Sequence, residues 1–317
     1  MIADCFLGVD GGGTKTRFAL IDGEGRVLAE AQLGTTYHPQ VGFEAVREIL
    51  TAGVDQVLQQ AGLSGATIGY AFFGLPAYGE DRHATSLLQA IPRAVLGHER
   101  YACDNDMVCG WAGSLACSDG INVIAGTGSM GYGQRQGTAA RAGGWGEAFS
   151  DEGSAYWIAA QGLNAYSRMS DGRLPRGALH AVFNEALALE QDLDICALVY
   201  GEQAYSRGDF AKLSLLVAKA AGLGDATAQR IYRQAGSELA GIADALRLSL
   251  GFAAGETVPL SYSGGAFSAG DLLLIPFTES LRSASANFEL RMPLHEPHYG
   301  AAMYAARLFR DPVCASR

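Results

Sequence analysis

Residues 8–22 read G-V-D-G-G-G-T-K-T-R-F-A-L-I-D, and this stretch decides the fold. An apolar run over Cys5–Val9 ends at Asp10, three glycines interrupt it, and a second apolar run resumes over Arg17–Ile21. Strand, glycine-rich turn and strand predict a β-hairpin. The common G-x-x-x-x-G-K-[ST] and G-x-G-x-x-G phosphate motifs do not fit, because their glycines precede a helix.

The turn of this hairpin has the chemistry of a phosphate site. Consecutive glycines let the backbone N–H groups approach a polyphosphate without interference from Cβ atoms, and the residues after them add hydroxyl donors and a cation. The expected phosphate contacts are Gly11, Gly12, Gly13, Thr14, Lys15 and Thr16. Asp10 is placed to hold Mg²⁺ through water, since that ion keeps much of its hydration. The alternative is an ordinary tight hairpin, which needs fewer glycines.

Two further glycine-rich turns follow apolar runs in the second half of the chain. The first reads I-A-G-T-G-S-M-G at residues 124–131, and the second reads Y-S-G-G-A-F at residues 262–267. From the first we expect phosphate contacts by Gly126, Thr127, Gly128 and Ser129. From the second we expect Gly264 and Gly265 to contact adenosine through their backbone. Either turn alone is also compatible with a plain loop.

The order of elements indicates a duplicated α/β architecture with a central cleft. Each half opens with a β-meander around a glycine-rich turn, and helices follow. Apolar residues three and four apart predict one helix over residues 43–61, and further helices are predicted over residues 210–221 and 228–250. We assign residues 1–116 with 297–317 to an N-terminal lobe and residues 117–296 to a C-terminal lobe. A helix near residues 107–117 is expected to act as the hinge. Two hairpins facing across the cleft could then hold one triphosphate.

Composition excludes several classes of function. The chain has 317 residues and a formal net charge of −10, so it lacks the excess of Lys and Arg that nucleic acid or an anionic membrane surface would require. The six cysteines show no C-x-x-C spacing and therefore indicate neither a zinc site nor a redox pair. No stretch reads as a targeting or membrane-spanning segment. We expect a cytoplasmic protein that contacts neither nucleic acid nor membrane.

Five motifs occur in one order along the chain: VDGGGTKT, CDND, AGTGS, GGWG and SDEGSAYWIA. Together they resemble the N-acetylglucosamine kinase branch of the BadF/BadG/BcrA/BcrD ATPase family, within the actin-like ATPase superfamily. The resemblance implies two ribonuclease H-like lobes, the use of ATP and Mg²⁺, phosphorylation of a small amino sugar, and a homodimer.

The resemblance also implies roles for individual residues. Asp104 matches the catalytic base that accepts the proton of the sugar hydroxyl and contacts the sugar, and a carboxylate there suits phosphoryl transfer. Thr127 matches a residue that contacts both phosphate and sugar, and Ala221 matches a position beside the adenine. The matched sugar-binding positions in the second half are Gly144, Trp145 and Asp151. The structural alternatives are that Asp104 or Asp106 caps the next helix, that Asp151 is an N-cap of the helix after it, and that Trp145 packs in the core. Asp151 could both cap and bind.

The loop at residues 33–39 departs from the family pattern. It reads L-G-T-T-Y-H-P where the family has a sugar-binding Asn, and Thr36 is the nearest counterpart. The substrate therefore stays open among N-acetylglucosamine, glucosamine and another hexosamine. Two other kinds of function remain as alternatives: a nucleotide-switched activator of the same ATPase family, and a sugar sensor without kinase activity.

Overall fold

The computed structural model of the chain describes residues 5–64, 67–202, 204–284 and 286–311. Within these ranges the chain forms two compact units. Of the described residues, unit 1 takes in those within 5–119, 135–137 and 292–311, and unit 2 takes in those within 120–134 and 138–291. The C-terminal segment thus returns to the unit that holds the N-terminal hairpin. The lobe bounds expected from the sequence stay a prediction.

Both units are α/β. The strands are β1 (Cys5–Gly11), β2 (Thr16–Ile21), β3 (Val27–Leu33), β4 (Ile68–Leu75), β5 (Tyr101–Asn105), β6 (Gly120–Ala125), β7 (Ser129–Arg135), β8 (Thr138–Gly143), β9 (Thr257–Ser263) and β10 (Asn287–Arg291). The helices are α1 (His38–Ala61), α2 (Arg82–Leu96), α3 (Met107–Leu115), α4 (Ala155–Ser170), α5 (Ala178–Leu187), α6 (Ile195–Tyr200), α7 (Arg207–Lys212), α8 (Ser214–Gly222), α9 (Ala226–Ser249), α10 (Asp271–Ser283) and α11 (Pro297–Arg310).

The two sheets share one topology. Unit 1 has the strand order β3-β2-β1-β4-β5, and unit 2 has the order β8-β7-β6-β9-β10. In each unit the first strand pairs antiparallel with the second and parallel with the fourth. The duplicated α/β architecture predicted from the sequence is confirmed by this correspondence.

In unit 1 the sheet carries helices on both faces. Helix α1 covers one face with a buried stripe that includes Val46, Leu50 and Val57, as its apolar periodicity predicts. Helix α11 covers the other face at close range: a Cβ atom on Gly8 would lie 2.1 Å from the backbone nitrogen of Ala302. Glycine is therefore required at position 8 for the helix to rest on β1.

In unit 2 a larger helical layer packs on the sheet. The long helix α9 buries an apolar stripe that includes Ile231, Leu239 and Leu246, and it packs closely along α10. The sequence predicted α9, but it gave no prediction for α5, α6, α10 or β10. The single helix expected over residues 210–221 is divided at Leu213 into α7 and α8.

Candidate functional site

The N-terminal hairpin presents its turn to solvent. Asp10 and Gly11 end β1, and Thr16 begins β2 in register with Gly11. The turn is closed by a hydrogen bond of 2.9 Å from the Gly12 N–H to the Lys15 carbonyl oxygen. Residues 13–15 of the turn are exposed. An anion could therefore approach the backbone of this turn, as the sequence predicts.

The glycines of this turn are there for different reasons. A Cβ atom on Gly11 would lie 2.4 Å from the hydroxyl oxygen of Thr36 and 2.9 Å from the carbonyl oxygen of Gly74. A Cβ atom on Gly13 would meet no protein atom within 4 Å. Gly11 is thus required by packing inside unit 1, whereas Gly13 leaves open space in front of the turn.

The loop after β3 is hydrogen bonded to this hairpin. The Thr35 hydroxyl donates to the Gly12 carbonyl oxygen at 2.7 Å, and the Thr16 hydroxyl donates to the Thr36 hydroxyl at 3.1 Å. Thr16 and Thr36 are both fully buried. Sequence reasoning placed Thr16 at phosphate and Thr36 at sugar, and it missed Thr35, which connects the two segments. Direct ligand contacts by the two buried hydroxyls stay a prediction.

Two carboxylates lie in one row near the ends of the parallel strands β1 and β5 of unit 1, with β4 between them. Asp10 pairs with Gly74 of β4, and Gly74 pairs with Asp104 of β5. Residues in register across parallel strands point to the same face, and two strand spacings separate these carboxylates' backbones by roughly 9–10 Å. Gly74 puts no side chain between them, and a Cβ atom there would lie 2.2 Å from the Cys109 sulfur.

The two carboxylates have different surroundings. Burial, and secondly the charge of Asp106, raise the pKa of Asp10 to about 8. Asp104 is exposed, and its Oδ1 accepts a hydrogen bond of 2.7 Å from the Asn105 N–H. The N-cap position of α3 is Asp106, and the Met107 N–H donates to Asn105 Oδ1 at 3.2 Å. Asp104 is therefore an accessible acceptor at a strand end, and it does not accept that bond.

Asp10 suits a hydrated Mg²⁺. Its carboxylate offers the oxygen ligands that this ion prefers, and a cation beside it would stabilise the anionic form that burial disfavours. Across the ranges that the structure describes, no three His, Cys, Asp or Glu side chains form a group that could hold a metal. Mg²⁺ needs no such cage, because it commonly keeps water and takes phosphate oxygens as its other ligands.

In unit 2 the turn between β6 and β7 is also built on backbone hydrogen bonds. The Gly126 N–H donates to the Gly128 carbonyl oxygen at 2.8 Å, which closes the turn, and Thr127 at its tip is exposed. The carbonyl oxygen of Gly126 accepts from the Ala155 N–H at 2.9 Å, at the start of α4. The Ser129 hydroxyl donates to the Glu152 carbonyl oxygen at 2.7 Å. The first turn of α4 therefore fixes the glycine-rich turn.

The segment before α4 contains the three predicted sugar positions of unit 2. Trp145 is 69% exposed, so core packing does not explain it. The Arg141 guanidinium lies 5.9 Å from the centre of the Trp145 ring and donates to the Gly144 carbonyl oxygen at 2.9 Å. Gly144 has a φ of +69°, which a residue with a side chain adopts only with strain.

Asp151 is held by an arginine that sequence reasoning missed. Its side chain is almost fully buried, and Arg207 Nη2 lies 2.8 Å from its Oδ2. The N-cap of α4 is Ser154, whose hydroxyl accepts from the Trp157 N–H at 3.1 Å. The capping alternative for Asp151 is therefore wrong.

The predicted adenosine residues lie in two places in unit 2. Gly264 follows β9 with a φ of +105°, and a Cβ atom there would lie 2.4 Å from the Ala125 carbonyl oxygen. The structure thus brings Gly264 against the end of β6, beside the turn that begins at Gly126. Gly265 has open space where a Cβ would stand. Ala221 is buried near the end of α8, and its carbonyl oxygen accepts from Gln229 Nε2 at 3.2 Å.

The chain matches the family model described as "BadF/BadG/BcrA/BcrD ATPase family" over residues 7–305. It is 28% identical to an N-acetyl-D-glucosamine kinase of Dictyostelium discoideum, over 96% of this chain and 98% of that protein. It is 29% identical to an N-acetylmuramic acid/N-acetylglucosamine kinase of Clostridium acetobutylicum, over 74% of this chain and 76% of that protein.

Solved structures show the same fold. A crystal structure of a candidate N-acetylglucosamine kinase from Chromobacterium violaceum has a TM-score of 0.70 and 25% identity, covering 96% of this chain and all of that one. A glucokinase of the ROK family from Streptomyces griseus, solved with glucose and AMPPNP, has a TM-score of 0.57 and 19% identity, with coverage of 96% and 100%. The predicted class, the two-lobed actin-like ATPase fold, is confirmed.

Within the described ranges no helix combines the length and hydropathy needed to cross a membrane.

Alanine at positions 11 and 13 separates packing from ligand contact. Gly11→Ala should lower the free energy of unfolding by about 1–3 kcal/mol, because its Cβ overlaps neighbouring atoms. Gly13→Ala should change it by less than about 0.5 kcal/mol, because its Cβ enters open space, yet should weaken binding of a non-hydrolysable ATP analogue. Urea unfolding and titration calorimetry measure the two effects. Equal destabilisation by both changes, or unaltered affinity in Gly13→Ala, would contradict this assignment.

Proposed function

We propose that this chain, which belongs to the BadF/BadG/BcrA/BcrD ATPase family, transfers the γ-phosphoryl group of ATP to an amino sugar. The chain is an ATP-dependent sugar kinase, in keeping with its curated relatives. The substrate that we propose is N-acetylglucosamine, and the product is its 6-phosphate. Two relatives, at 28% and 29% identity, carry N-acetylglucosamine kinase in their names, whereas a glucosamine kinase of Vibrio cholerae is 24% identical over 74% of this chain. The higher identities support N-acetylglucosamine over glucosamine.

The observation that carries the proposal is the exposed carboxylate of Asp104 at the end of β5, in register with Asp10 across Gly74. Phosphoryl transfer to an alcohol needs a group that orients the hydroxyl and accepts its proton, beside charge stabilisation of the phosphates. Asp104 is accessible for the first task, and Asp10 offers oxygen ligands for a cation that serves the second. The two tasks fall on the ends of two strands of one sheet, with a single strand between them.

In the proposed reaction Asp104 accepts the proton of the primary hydroxyl of the sugar. The hydroxyl oxygen forms a bond to the γ-phosphorus as the bond from that phosphorus to the β,γ-bridging oxygen breaks, which yields ADP and the sugar phosphate. Asp10 would hold a hydrated Mg²⁺, which would neutralise phosphate charge when bound. The turn at positions 12–15, exposed at 13–15, orients the phosphates through its backbone N–H groups.

The remaining proposed contacts follow the sequence predictions. For the nucleotide they are Gly11, Gly12, Gly13, Thr14, Lys15, Thr16, Gly126, Thr127, Gly128, Ser129, Ala221, Gly264 and Gly265. For the sugar they are Thr36, Asp104, Thr127, Gly144, Trp145 and Asp151. The exposed indole of Trp145 offers a flat apolar face to a pyranose ring, and the Asp151 carboxylate can accept hydrogen bonds from hydroxyls. A contact by buried Thr36 requires movement of the loop after β3.

A panel of acceptors tests the substrate. We expect ADP release to depend on added sugar and kcat/KM to be highest for N-acetylglucosamine among glucose, glucosamine, N-acetylmuramic acid and N-acetylglucosamine. Phosphorus NMR of the product should show the phosphate at the 6-position. ADP release that is equally fast without any sugar would contradict the proposal and would favour the activator alternative.

Asp104→Asn tests the base. The amide cannot accept the proton, so kcat should fall by about 10²- to 10⁴-fold, while the affinity for an ATP analogue and the melting temperature stay near those of the wild type. Asp55→Asn, on the exposed side of α1, is the matched control and should leave kcat unchanged. Sugar phosphorylation by Asp104→Asn at close to the wild-type rate would show that another group acts as the base.

A further inference from the structure

The strongest unassigned feature near the proposed sugar residues is an arginine that joins two carboxylates. Arg207 begins α7, and its Nη2 lies 2.8 Å from Asp151 Oδ2 while its Nε lies 2.9 Å from Glu147 Oε2. Fifty-six positions of sequence separate Asp151 from Arg207. Asp151 and Glu147 both belong to the segment between β8 and α4, which also carries Trp145. Arg207, which belongs to α7, therefore holds this segment through two of its carboxylates.

The burial and the backbone conformation of Asp151 are both unfavourable for an ionised carboxylate that has no partner. It is 3% exposed, and its φ of +59° is a strained backbone conformation for a residue with a side chain. Its Oδ2 lies so close to the glycine-rich turn that a Cβ atom on Gly128 would be 2.6 Å away. Removing an ionised carboxylate from water is costly unless a partner charge and hydrogen bonds compensate.

The groups that face Asp151 are few and can be named. From α7 the Arg207 guanidinium lies against it, from the same loop Glu147 adds a second negative charge, and from β7 the Ser129 N–H donates to it. Burial raises the pKa of Asp151, Arg207 lowers it, and Glu147 raises it. Arg207 is therefore the main group that favours the ionised form at this position.

We propose that Arg207 is a positioning residue for the sugar: it holds the Asp151 carboxylate as an oriented anion, ready to accept hydrogen bonds from sugar hydroxyls. This inference rests on the proposed function, because it assumes that Asp151 binds sugar. A carboxylate has acceptor sites on both oxygens, so the pairing of Oδ2 with Arg207 leaves further sites for a ligand. A neutral carboxylic acid would be a weaker acceptor, since hydrogen bonds to charged groups are stronger.

Arg207→Gln should raise KM for the sugar by about 10- to 100-fold, because a charge-assisted acceptor is lost, while kcat and KM for ATP stay within about twofold. Without the guanidinium the pKa of Asp151 rises, so the acidic limb of the pH profile of kcat/KM for sugar should move to higher pH. The defect should accordingly shrink as pH increases. Arg207→Lys retains the charge and should recover most of the sugar affinity.

Arg176→Gln is the matched control, because Arg176 Nη2 makes an ion pair of the same length, 2.8 Å, with Asp192 elsewhere in unit 2. It should leave KM for sugar and the pH profile unchanged. Titration calorimetry of sugar binding without turnover, and melting temperatures, complete the comparison. A uniform loss in kcat and KM with an unshifted pH profile would show that Arg207 has only a structural role, and wild-type behaviour of Arg207→Gln would equally overturn the inference.

Asp151→Asn separates this inference from the proposed function. Weak sugar binding in Asp151→Asn with normal binding in Arg207→Gln would refute the inference alone and leave Asp151 as a sugar ligand. Normal sugar binding in Asp151→Asn would refute the sugar-binding role of Asp151 itself, and the role of Arg207 with it. Weak binding in both variants, with recovery in Arg207→Lys, is the result that we expect.

Discussion

The constraint on which the proposed chemistry depends is the register of three parallel strand ends in unit 1. Asp10, Gly74 and Asp104 form one row, so the two carboxylates are placed by the backbone of the sheet and not by flexible loops. Gly74 can carry no side chain, because the Cys109 sulfur fills the space where a Cβ would stand. Burial on this face raises the pKa of Asp10 and also that of the Cys109 thiol, which makes the row a natural place for a cation.

Unit 2 repeats the topology of unit 1 but not its chemistry. The last two residues of β1 are Asp10 and Gly11, whereas those of β6 are Ile124 and Ala125. The turn that follows β6 has three residues, and the turn that follows β1 has four. The charged groups of unit 2 lie instead in the segment before α4, where Asp151 and Glu147 share Arg207. One architecture thus provides a carboxylate row in one unit and a glycine-rich turn fixed by a helix in the other.

Local patterns in the sequence predicted much of this fold, and long-range contacts account for what they missed. Apolar residues recur at helical spacing in α1 and α9, and both helices are present in the structure. The strand–turn–strand pattern at the N-terminus likewise forms a hairpin. Helix α10 was missed because Pro276 lies inside it, which normally argues against a helix. Thr35 and Arg207 were missed because their partners are 23 and 56 positions away. Gly11 was expected to serve a ligand, yet its neighbours within unit 1 are what exclude a side chain.

The central claim is that the glycine-rich turns at residues 11–15 and 126–129 hold the nucleotide. Amide hydrogen exchange with and without AMPPNP and Mg²⁺ measures this directly, because bound N–H groups exchange more slowly. The account predicts slower exchange in both turns, with little change on the exposed side of α1. Slower exchange confined to other segments, with both turns unaffected, would contradict it.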